Sequence, residues 1–381
     1  MKQVIQNNKI AIINTIKILL YKESELIINT INFDDDTIYL EPLLFSYFNS
    51  KADKIYPKEI LSEILKGYFF KKINLEIKHS FNKNNIAYLP KVGYFKKEES
   101  EIYESILTVG DFEIIKELHP TQEKYFIETY KGHIINNNPV YHSSWKDNNL
   151  ELFKAIDIIK KHLPDFYEEL TFANKKIYLH DNPKILNFTS VETLGMLCFY
   201  VIGNQNLIYF IEELIHQGSH NFLYYLVHQR IDYFKIDVDN SIMRDYTKQQ
   251  GDYRTIYGAF HGLFTVTQRV IYFDKLLTHK VFSGKEKHEL LGRLMDQFSR
   301  FRTGLQLLNL TEVFTDKGID LYNELDTKCA SILEQYRTIY IEFDLSNRDL
   351  DFRYDNFCKL NSIEDFLEKD KNDYYQFLKH K

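Results

Sequence analysis

Glycine and proline are scarce in this chain, 14 and 7 of 381 residues. A chain with so few turn-formers cannot build a turn-rich all-β fold, and long helices joined by modest loops are the expected solution. Hydrophobic residues make up 44% and charged residues 27%, enough apolar material for a substantial packed core. The expected fold is mainly α with a small β-sheet, an α+β arrangement. The length suits one large domain or two ordinary ones.

Charge and cysteine usage exclude several classes. The net charge is −6, and the two signs are interspersed. No Lys/Arg cluster is dense enough to track phosphates, so nucleic acid is not an expected partner. Cys198, Cys329 and Cys358 are isolated, which points away from zinc knuckles and disulfide frameworks and suits a reducing cytoplasm. The N-terminal stretch MKQVIQNNKIAIINTIKILLYKES reads as an amphipathic helix interrupted by Lys9, Asn14 and Lys17, not as a signal peptide. The longest apolar run, 194–203, is too short for a bilayer, so no membrane span is expected.

Along the chain, residues 1–135 read as helices with polar loops, a possible lid or peptide-docking region. Helical spacing runs through 57–73 and on both sides of His119-Pro120 within 111–130. The polar stretch 136–149, with the single Trp, suggests a boundary near 135–150. A core domain over 150–340 follows, then a helical tail over 341–381. Within the core, 150–173 is amphipathic and helical, 175–181 alternates like a strand, and 185–203 reads as one or two strands. Helices are expected from about Asn206, over 255–278, 283–310 and 316–338.

The chemistry-bearing residues fall in two of those helices. His216 and His220 lie one turn apart on one helix face, a spacing that lets two imidazoles reach one metal ion. With 13 histidines in the chain, a chance pair of this spacing is not rare. The ordinary reading is one packed and one solvated histidine. Glu212 and Glu213 lie within a turn of His216, where a carboxylate can fix an imidazole tautomer. A solvated helix face is their commoner role. Further on, Arg254 carries a planar fork suited to carboxylates. His261 follows it by seven residues and is a candidate third ligand, although a histidine on an apolar helix is usually a core residue. Gly258 and Gly262 flank it and would let this helix approach another backbone closely.

Taken in order, these pieces resemble the HEXXH-motif peptide-modification proteins encoded beside ribosomally made peptide precursors. The resemblance covers roughly 150–280. It rests on the amphipathic helix, Phe188-Thr189-Ser190, the two-histidine helix, and the R-x-x-x-G-x-x-H-G run of Arg254, Gly258, His261 and Gly262. It implies an iron(II)- and 2-oxoglutarate-dependent oxygenase, a dioxygenase that hydroxylates the β-carbon of a residue in a precursor peptide. His216, His220 and His261 would be the metal ligands, with Glu213 or Asp252 as alternative carboxylate ligands. Arg254 would bind the distal carboxylate of 2-oxoglutarate, with Arg269 in reserve. Tyr253, Tyr257 and Thr265 are nearby hydrogen-bond donors, each more commonly a packing residue.

The sequence departs from the family at Gln217, where Glu is usual. A zinc peptidase needs that Glu as general base, so Gln217 argues against peptidase chemistry. An oxygenase has no such step. A catalytically degenerate peptide- or partner-binding protein on the same scaffold is the alternative.

Overall fold

The computed structural model describes residues 2–49, 56–70, 78–98, 101–126, 128–130, 133–136, 144–349 and 351–379. It is mainly helical with small sheets, an α+β fold. Contacts divide it into two compact units that interleave along the chain, whereas the sequence reading uses contiguous segments. One unit is Met1–Asp157, Glu168–Asn206 and Tyr224–Leu226; the other is Ile158–Tyr167, Leu207–Leu223 and Val227–Lys381. Among the described residues no helix is long and apolar enough to cross a membrane.

The first unit carries the strands. Two short hairpins are β1 (Ile86–Leu89) with β2 (Gly93–Lys96), and, after β3 (Leu107–Val109) and β4 (Phe112–Ile115), β5 (Glu128–Tyr130) with β6 (His133–Asn136). Two later strands, β7 (Lys176–His180) and β8 (Met196–Tyr200), join β3 and β4 in a four-stranded sheet of order β3-β4-β7-β8. Only the β3–β4 pairing is antiparallel. The reading of 1–135 as helical holds for Lys2–Glu23, Glu25–Ile28, Pro42–Asn49 and Glu59–Leu65, but not beyond. Residues 111–130, expected as two helical stretches, hold β4, a 3-10 segment over Pro120–Phe126, and β5. All four residues of β4 are buried, Glu113 among them, so its burial does not alternate, and four residues are too few to show a period that separates strand from helix. The expected helix over 57–73 shortens to Glu59–Leu65 plus one 3-10 turn, and Lys71 and Lys72 lie outside the described residues. Part of the boundary proposed near 135–150 does too. Over 185–203 there is one named strand, β8, and a single bridge from Phe188 to Cys198.

The second unit is helical and is organised by Ile256–Thr278. Thr255 caps this helix, its Oγ1 accepting from the Gly258 amide at 3.0 Å. Its buried side includes Phe260, Leu263, Phe264, Val270 and Phe273, packed against the helices Gly284–Arg300 and Asp316–Gln335. The expected helix over 283–310 stops at Arg300, ahead of Gly304, whose φ of 81° no helix continues through. After a short helix over Arg337–Ile341, the tail forms Tyr354–Cys358, Ile363–Asp370 and Tyr374–Lys379. Phe343, Phe357 and Phe366 gather there around the buried His288. Burying these aromatic faces, each on the order of 150–250 Å², gives the tail a core of its own to dock on.

Candidate metal centre

All residues of the candidate site lie in the helical unit. The two-histidine helix spans Leu207–Leu226. The ring centroids of His216 and His220 are 4.8 Å apart, and those of His220 and His261 are 3.8 Å apart. The structure thus brings the three sequence-predicted imidazoles into one cluster, each ring partly exposed to solvent. Tyr257 stacks on His261 with centroids 6.0 Å apart, and the Arg230 guanidinium lies over Tyr257 at 3.8 Å.

Proton bookkeeping leaves nitrogens for a ligand. Burial holds all three rings neutral. His216 and His220 are driven well below the usual imidazole value by burial first, then by neighbouring charges that include Arg269. Burial pushes His261 down to about 4, while a hydrogen bond to the Gly258 backbone pulls the other way. That bond fixes a proton on one His261 nitrogen and leaves the other as an acceptor. His220 Nδ1 is buried without a hydrogen-bond partner. An added Cβ at Gly262 would meet nothing within 4 Å. Gly262 therefore borders open space beside His261, and the expected close approach of another backbone at this position does not occur.

The ring planes are tilted against one another, by 44° between His216 and His220 and by 34° between His220 and His261. Among the described residues no group of three or more His, Cys, Asp or Glu side chains is arranged as a ligand set. The donor chemistry nevertheless fits a divalent transition ion: neutral imidazoles, an orphaned nitrogen and an adjoining carboxyl. Rotation about side-chain torsions is what would turn the ring edges together.

Around the rings lies a buried ionic network. Glu212 pairs with Arg269 at 3.1 Å and with Arg293, and Arg293 pairs with Glu289 at 2.6 Å. Burial pushes the Glu212 carboxyl up, but Arg293 and Arg269 outweigh it and hold it below the usual range. Glu213 points another way. Its Oε2 is 3.9 Å from His216 Nδ1 and accepts from Gln217 Nε2 at 3.3 Å. Burial, then the Glu212 charge, pushes its carboxyl up to about 8.

The two arginines fare differently. Arg254 chelates Asp252 through Nε and Nη2, at 2.8 and 2.7 Å, and Nη2 also donates to the Thr303 carbonyl. Its fork, expected to hold a carboxylate, is thus engaged within the chain, and the same pairing ties up Asp252, the alternative ligand. Arg269 is only 7% exposed, and its Nε is buried without a partner. Of the two, Arg269 is the one whose charge reaches His216 and His220. Tyr253 is 68% exposed, and the Thr265 hydroxyl bonds back to Gly262 within its own helix. Arg293 and Glu289 were missed from sequence. Their i, i+4 spacing in a helix was the available signal.

Fold and site together define a helical protein with an imidazole cluster shared between two helices and backed by buried arginines. No protein-family model matches this chain, and no curated protein does either.

Proposed function

We propose that this chain is a non-haem iron(II), 2-oxoglutarate-dependent oxygenase of the HEXXH-like peptide-modification kind, acting on a side-chain β-carbon of a ribosomally made precursor peptide. The observation that carries this reading is the clustering of His216, His220 and His261, with ring centroids 4.8 and 3.8 Å apart. His261 lies 41 residues beyond His220 in sequence, yet the fold brings it to the His216–His220 pair at a partly exposed place bordered by open space at Gly262.

His216, His220 and His261 would hold the metal, and all three are neutral, as ligation requires. Bound iron(II) would supply the capacity to reduce O₂ against a keto acid. The rest of the work is the protein's. Arg269 presents an unpartnered Nε–H suited to the distal carboxylate of 2-oxoglutarate, which favours it over the engaged Arg254. The Glu212–Arg293–Glu289 network fixes where Arg269 sits. Gln217 carries no proton-abstracting group, so the general-base step of a zinc peptidase has no residue here.

Anaerobically purified protein given Fe(II), 2-oxoglutarate and then O₂ tests the reading. Succinate forms stoichiometrically with 2-oxoglutarate loss, even without peptide. Absence of succinate with and without a candidate precursor peptide refutes oxygenase activity and leaves the peptide-binding alternative.

A further inference from the structure

We infer that Glu213 and Gln217 form a positioning pair for His216, in which Gln217 acts through Glu213; the inference rests on the metal-centre reading above. On the two-histidine helix, Glu213, His216, Gln217 and His220 stand at i, i+3, i+4 and i+7, which places them along one face. The Gln217 amide donates to Glu213 Oε2 at 3.3 Å, and that same oxygen lies 3.9 Å from His216 Nδ1. Both side chains are buried, Glu213 at 8% and Gln217 at 3% exposure.

This geometry gives the amide at 217 a purpose. A buried carboxyl beside an imidazole fixes the ring's tautomer and orientation only if its own torsions are fixed. Gln217 supplies the donor that does so. A glutamate at 217 has no proton to donate when ionised, and it would set a third acidic group beside Glu212 and Glu213 in a buried place. The carboxylate of an H-E-x-x-H helix has in effect moved one turn back, to 213. Gln217 is thereby complementary to Glu213 and is not a lesion in the motif.

The test is Co(II) titration of the full-length chain without oxygen, read by d–d absorption, with thermal melts of the metal-free protein to confirm folding. Gln217→Met and Glu213→Met keep volume and remove the pair. Each weakens Co(II) binding tenfold to hundredfold and changes the band pattern, since the orientation of one ligand is lost. The double variant binds no more weakly than Glu213→Met alone. Gln217→Glu also weakens binding, although it restores the family motif. If Gln217→Met fails to fold, Gln217→Ala takes its place in the cycle. Unchanged affinity in the position 217 variant, or losses that multiply in the double variant, overturns the pairing alone. A wild-type chain that takes up no Co(II) overturns the metal centre and this inference with it.

Discussion

Glu212 and Arg269 pair at 3.1 Å, each eight residues along its helix from His220 and His261, whose ring centroids lie 3.8 Å apart. Equal offsets in opposite directions make the two helices antiparallel, with the ion pair about 12 Å along the axis from the ring pair. The imidazole cluster and the buried network are therefore two contacts between the same two helices.

Arg293→Met follows from that relationship. The substitution takes the Arg293 cation away from two buried carboxylates, Glu212 and Glu289. Breaking a buried pair from one side costs about 3–5 kcal/mol. Arg254→Ala removes a pair whose arginine is 49% exposed and costs about 1 kcal/mol or less. Urea denaturation of both variants measures the contrast; equal losses would mean that the network does not bind the helices together.

Each histidine of the cluster gives a direct expectation. His216→Ala, His220→Ala and His261→Ala each lower Fe(II) or Co(II) affinity by more than a hundredfold, a larger loss than the tenfold to hundredfold set for Gln217→Met, because each removes a donor outright. Metal titration under argon decides it. Three variants with wild-type affinity would mean that the ring cluster is packing alone.

How far the sequence alone reaches is best seen at particular residues. The two-histidine helix and the His261 helix were legible because their apolar periods are long, and Thr255 marks where the second begins. Strands β3 and β4 were missed, yet a signal was there: Gly110-Asp111 is a two-residue hairpin turn, with Gly110 at φ 57° and Val109 opposite Phe112. The clustering of His261 with His216 and His220 was an expectation from residue types in order. The pairing of Arg293 with Glu212 was not legible, since Arg293 reaches it from 81 residues away. Nor was the fate of Arg254, because Asp252 two residues earlier reads as an alternative metal ligand and not as the partner of that guanidinium. Buried Lys176, held between Glu41 at 2.7 Å and Glu113 at 3.1 Å in the other unit, likewise left only an unexceptional lysine in an alternating strand.

Acid weakens the fold through histidines that are not part of the candidate imidazole cluster. His180 and His288 are fully buried, and burial pushes both rings down to about 4. In the unfolded chain they titrate near 6.5, so between 6.5 and 4 the unfolded state binds protons that the folded state does not. Their contribution is complete above pH 6.5 and is lost as pH falls to about 4, by up to about 3 kcal/mol for each ring. Neither nitrogen of His180 has a hydrogen-bond partner, so His180→Leu raises stability at pH 5 more than at pH 8. His288 Nδ1 meets the Tyr354 hydroxyl at 3.0 Å, so His288→Leu strips a bond from Tyr354 and lowers stability at pH 8. Melts across pH 4–8 separate the two; an identical pH slope in His180→Leu and wild type would contradict the assignment.

Gly262 separates packing from function at the site itself. It lies inside the helix Ile256–Thr278, and a Cβ there meets nothing within 4 Å. If the position served the fold alone, alanine would be the better residue, since glycine within a helix costs about 0.5–1 kcal/mol relative to alanine. Gly262→Ala therefore raises the melting temperature by a few degrees. Gly262→Trp places an indole on the side of the helix where an added Cβ meets nothing within 4 Å, next to His261, where the proposed co-substrate would sit. In that variant Co(II) affinity stays within about threefold of wild type while succinate formation falls at least tenfold, a split that a purely structural glycine would not produce. Undiminished succinate formation in Gly262→Trp would show that the co-substrate does not bind on this side of His261.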